Sequence, residues 1–113
     1  MSIFSSFIKG NSDFLSLDLS YHYHDPAKEE IVLYNNGKKT IGPAKLVVIN
    51  ETKQQFEYTI EKIPSRIGIL IRLAQFRDKN DQPFAGNLAQ VQIQFSGNKV
   101  VFIPEGNKFK REK

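Results

Sequence analysis

The chain has no cysteine and no tryptophan, and its two histidines stand two residues apart, at positions 22 and 24. Without cysteine there is no disulfide, no thiolate nucleophile and no zinc site built on sulfur. Long apolar runs are missing as well: no stretch approaches the roughly 20 residues a helix needs to cross a bilayer. The start, MSIFSSFIKGNSDF, has neither the basic n-region nor the apolar core of a secretory leader. These absences make a soluble, cytoplasmic protein the default expectation, with an extracytoplasmic location open if a leader was trimmed from a longer chain. Glycines such as Gly37, Gly42, Gly68, Gly86 and Gly97 are dispersed, so there is no glycine-rich phosphate cradle and nucleotide binding is set aside.

Catalytic groupings are equally sparse. No elbow motif surrounds Ser5, Ser6, Ser12, Ser16, Ser20, Ser65 or Ser96, and a serine triad would have to draw its base from one short stretch. Asp78, Asp81 and Glu105 are not paired by any local spacing. The expectation is a protein that is not an enzyme and needs no cofactor.

What the chain has is alternation. In LSLDLSYHYH, residues 15–24, apolar Leu15, Leu17, Leu19, Tyr21 and Tyr23 interleave with polar Ser16, Asp18, Ser20, His22 and His24. A period of two gives a strand one apolar and one polar face, whereas a helix would scatter both sets. Further strands are expected over EEIVLYN (29–35), KLVVIN (45–50), QFEYTI (55–60), 66–73, 91–95 and 99–104, punctuated by Asp25-Pro26, Asn36-Gly37, Gly42-Pro43, Ile63-Pro64 and Gly97-Asn98. KLVVIN is apolar on both faces, which belongs near the centre of a sheet or beneath another segment. Phe76 and Phe84 flank the polar RDKNDQP and read as anchors holding that excursion to the core.

About seven short strands in a 113-residue chain with nine Phe and four Tyr predict one all-β domain, a β-sandwich of two antiparallel sheets. A small barrel is the alternative architecture. Residues 1–12 are expected to form a strap or short helix, 13–105 the sandwich, and 106–113 a basic tail. The stretches NNGKKTIGPAKLVVIN, FEYTIEKIPSRIGILIRL and RIGILIRLAQFRDKNDQPF resemble the strand–turn layout of the immunoglobulin-like and fibronectin-like sandwich superfamily. The resemblance implies an accessory or recognition domain. It lacks the paired cysteines and tryptophan of antibody domains, and it carries over no functional residue.

Two metal candidates stand out in the pattern. His22 and His24 share a strand face, with Asp18 and Asp25 close in sequence, but zinc or copper takes three or four ligands. The pair is therefore read as interface histidines, and no metal is expected. Asp78-Lys79-Asn80-Asp81 has the oxygens of a calcium loop without its twelve-residue spacing, and Lys79 sits among the would-be ligands. It is read as an Asx turn.

The net charge of +4 is uneven: residues 1–40 carry four Lys or Arg against five Asp or Glu, residues 41–113 twelve against seven. Lys38, Lys39, Arg72, Lys99, Lys108, Lys110 and Arg111 are the candidates for a basic patch, which would suit nucleic acid if exposed aromatics lay beside it. The preferred expectation is a non-catalytic protein-interaction module. Its opening strand would be an exposed edge, and Ser16, Asp18, Ser20, His22 and His24 would border a protein partner. Nucleic-acid or carbohydrate binding are the alternatives, and the expected state is a monomer or closed homodimer.

Overall fold

The computed structural model describes residues 15–20, 30–105 and 108–112, with side chains from 30–105 and 109–112. Eight strands follow in order: β1 (Leu15–Ser20), β2 (Glu30–Asn35), β3 (Ala44–Asn50), β4 (Gln55–Ile60), β5 (Ile67–Arg72), β6 (Leu88–Phe95), β7 (Asn98–Glu105) and β8 (Lys108–Glu112). One 3-10 turn, Leu73–Gln75, follows β5. All pairings are antiparallel, in the order β4-β3-β6-β7-β8-β1-β2-β5.

The ladder narrows between β8 and β1, where the register is Asp18 opposite Lys108. On either side of that seam lie a five-stranded layer, β4-β3-β6-β7-β8, and a three-stranded layer, β1-β2-β5. Their apolar faces meet in one core: Ile31, Leu33 and Ile71 come from the smaller layer, and Leu46, Val48, Phe56, Val91, Ile93 and Phe102 from the larger. The fold is therefore the all-β, two-layer antiparallel sandwich that the alternation predicts.

Three large buried side chains come from connections rather than strands. Ile63, Leu73 and Phe76 are fully buried and lie where the chain passes from β4 to β5 and away from β5. At the first crossing Ile41 and Ile63 exchange backbone hydrogen bonds, both 3.0 Å. The segment after Asn36-Gly37 thus bridges to the other layer rather than returning as a hairpin arm. Phe76 and Phe84 anchor their loop as expected: Phe76 packs on Tyr58 with ring centroids 5.6 Å apart, and Phe84 on Phe56 at 5.1 Å.

Local chemistry sets the turns. β6 and β7 join through Ser96-Gly97, both with positive φ (46° and 77°), between the paired residues Phe95 and Asn98. This is the two-residue hairpin that matches the twist of flanking strands. The β3–β4 turn is organised by buried Asn50, whose Oδ1 accepts from the Thr52 and Gln54 N–H groups and whose Nδ2 donates to the Ala85 carbonyl at 2.9 Å. Among the described residues no buried side-chain nitrogen or oxygen lacks a partner, as a well-formed core requires.

Two expectations need correction. Residues 108–112, read as a tail because four of the five are charged, form β8, paired with β7 from Val101–Glu112 to Glu105–Lys108. Phe109 accounts for this by packing against Phe102 of the core with ring centroids 6.4 Å apart. The opening strand is not an edge: β1 pairs with β2 over six residues and has β8 on its other side. The ends of the ladder are β4 and β5.

Candidate functional site

The two end strands are built differently. β4, QFEYTI, alternates between exposed Gln55, Glu57 and Thr59 and inward Phe56, Tyr58 and Ile60. Its outer side is covered, because Glu57 and Arg77 exchange backbone hydrogen bonds of 2.8 and 3.1 Å. The covering loop is held by Asp78, whose Oδ1 accepts from the Asn80 and Gln82 N–H groups, both 2.8 Å. That carboxylate closes the expected Asx turn, with Arg77 facing Asp81 at 3.8 Å.

β5, IGILIR, is apolar on both faces. Its inward positions Ile67, Ile69 and Ile71 stand opposite Asn35, Leu33 and Ile31 of β2, and its outward positions Gly68, Leu70 and Arg72 stand opposite Tyr34, Val32 and Glu30. Such a composition suits a strand with neighbours on both sides and both faces. Among the described residues no strand pairs with the far side of β5. The mismatch shows in exposure: Leu70 is 56% exposed and Ile67 49%. Of the four exposed large apolar residues among those described, three (Tyr34, Ile67 and Leu70) lie on β2 and β5, and the fourth is Ile103. Tyr34 and Leu70 share the outward face at this end of the ladder, and Ile67 stands exposed at the start of β5.

Gly68 and Tyr34 shape this edge. A Cβ at position 68 would come within 2.7 Å of the Tyr34 ring, so the ring lies across the backbone of β5 where a side chain would otherwise stand. Aromatic cover of an edge glycine of this kind supports the strand. Arg72 ends the edge: its guanidinium lies 3.8 Å from Glu30, and its N–H donates to Gln75 Oε1 at 3.0 Å as the 3-10 turn begins. At the opposite end Asn35 is fully buried. Its Nδ2 donates to the carbonyls of Lys39 and Ile63, at 3.0 and 2.9 Å, and its Oδ1 accepts from Gly37 N–H. Ser65 donates to the Gly37 carbonyl at 2.5 Å, so two turns are pinned together beside Ile67.

The residues expected from sequence fall elsewhere. Ser16, Asp18 and Ser20 lie on β1, between two neighbouring strands; His22 and His24 are outside the described residues. The basic candidates are divided. Lys38 and Lys39 lie in the β2–β3 connection and Arg72 at the end of β5, whereas Lys99 stands opposite Gln94 in the larger layer, beside the strand that carries Lys108, Lys110 and Arg111. Lys110 and Arg111 hold successive strand positions and so serve opposite faces. The outer face of β6 is a glutamine row, with Gln92 Nε2 donating to Gln90 Oε1 at 2.7 Å. The described aromatics Phe56, Tyr58, Phe76, Phe84, Phe95, Phe102 and Phe109 are in or against the core, which leaves Tyr34 as the described ring at the surface.

Sequence reasoning placed β5 but missed its role. The available signal was the conflict between two runs apolar on both faces, KLVVIN and IGILIR. The first is a central strand, as expected; the second has a central strand's composition at the end of the ladder.

No family model, no curated protein and no solved structure matches the chain. No helix among the described residues is long and apolar enough to cross a membrane.

Proposed function

We propose that the protein is a non-catalytic interaction module that recognises a protein partner by accepting an extended segment along β5. The observation that carries this reading is the apolar edge Ile67–Ile71, with which no strand pairs among the described residues, set against an opposite edge of the same sandwich that is polar and capped. An open strand offers its partner a row of backbone donors and acceptors, and alternating pockets supply specificity. Proteins usually blunt such edges with charge, proline or a covering loop; the 76–84 loop does so for β4, and β5 keeps Leu70 and Ile67 at the surface. The two-layer antiparallel architecture is in line with an immunoglobulin-like accessory domain. The recognition surface is thereby moved from the opening strand to β5.

The test is selection of displayed random peptides on the immobilised protein, followed by hydrogen exchange with the winning peptides. Slowed exchange of amides in 67–72 supports the reading. Protection confined to β3, β6 and β7, or loss of the complexes between low and moderate salt with no effect of Leu70→Lys, overturns it.

A further inference from the structure

The outward row of β5 has three chemically distinct stations. Arg72 is exposed and touches Glu30 at 3.8 Å, leaving donors of its planar fork for a second carboxylate. Leu70 is the most exposed large apolar residue among those described. At Gly68 there is no side chain, and the Tyr34 ring occupies the space above the backbone. Directly opposed residues on neighbouring antiparallel strands have Cβ atoms about 4.5–5.5 Å apart. An added strand therefore places alternate side chains against these three stations in turn.

Resting on the edge reading above, we infer that the occupant of β5 is an antiparallel segment with an acidic residue facing Arg72, an aliphatic one facing Leu70 and an aromatic one facing Gly68 and Tyr34. In the partner's own direction the spacing is acidic, any, aliphatic, any, aromatic. Antiparallel addition continues the arrangement of every strand pair in the fold. Charge points to the same class of partner: residues 30–43 and 61–72 hold Lys38, Lys39, Lys62, Arg66 and Arg72 against Glu30 and Glu61. The same charges argue against a second copy of this chain. A second copy would bring two segments of the same net positive charge face to face.

The experiment titrates the labelled full chain with four synthetic peptides by NMR. They are Glu-Thr-Val-Ile-Phe-Thr, the same peptide with Lys for Glu, the same with Ala for Phe, and the reversed sequence. The first peptide is expected to shift resonances of β5 and β2. Lys for Glu weakens binding about twofold to fivefold, and Arg72→Gln removes that difference. Ala for Phe weakens it about twofold to tenfold, and Tyr34→Ala removes that difference. Equal binding of the Lys peptide, or preference for the reversed one, overturns the inference. If Leu70→Lys and Ile67→Lys still abolish binding in that case, the edge reading survives its failure. A wild-type dimer that Leu70→Lys splits makes the occupant a second copy and also overturns the inference. Binding of none of the four peptides overturns it too, and the edge reading then stands or falls with the peptide selection.

Discussion

β4 and β5 close the two ends of one ladder, and they solve the problem of an unpaired strand in opposite ways. β4 separates its chemistry by face, with Gln55, Glu57 and Thr59 in water and Lys45 reaching Glu57 at 3.2 Å, and it lets the 76–84 loop take up hydrogen bonds on its outer side. β5 has apolar side chains on both faces, and among the described residues no strand pairs with its far side. Coverage of one edge shows that this fold has the means to hide a strand.

The comparison breaks most severely at Phe76, which is fully buried against Tyr58 and carries the loop that caps β4. Phe76→Ala is expected to cost about 3–5 kcal/mol, read from urea denaturation, and to make β4 exchange its amides faster. Asn35 comes next, at the β5 end. Asn35→Ala removes the donor to the Lys39 carbonyl, the acceptor for Gly37 N–H and one of the two donors to the Ile63 carbonyl, and should cost about 1–3 kcal/mol, with faster exchange localised to residues 63–68.

Asp78→Ala sharpens the contrast from the other side. Losing the acceptor for the Asn80 and Gln82 N–H groups should lower stability by about 1 kcal/mol and loosen the cover of β4. Limited proteolysis within residues 77–83 checks it, and unchanged cleavage would count against Asp78 as the organiser. Smallest of all is Leu70→Lys: a change at an exposed position stays within about 0.5 kcal/mol. A larger loss in the urea midpoint would show that Leu70 is covered in solution.

Much of this fold was legible because its strands carry clean signals. QFEYTI was bounded correctly at Gln55 and Ile60, and the hairpin at Ser96-Gly97 follows from small residues between two alternating runs. Neighbour relations were not legible. The seam joins residues 18 and 108, 90 positions apart, and no local pattern encodes such a pairing. KFKRE holds a single apolar residue, so nothing in its composition marks it as a strand; Phe109 on Phe102 does so only once the core exists. The candidate site was hidden for a related reason. IGILIR reads as a buried strand, and its exposure is a property of strand order, which is a long-range fact.

The buried Asn35 has one more consequence. A strand with a polar face and an apolar face resists sliding along its neighbour, because a shift of one residue turns every side chain to the wrong side. In β5 that safeguard rests on few residues: after a single-residue slip, Gly68, Leu70 and Arg72 would point inward and the three isoleucines outward. A second index lies outside the pattern. Asn35 supplies it, since its side chain holds the Ile63 carbonyl and its own carbonyl accepts from Arg66 N–H at 2.7 Å. One amide thereby indexes β5 against β2, and with it the spacing at which Gly68, Leu70 and Arg72 meet whatever lies alongside.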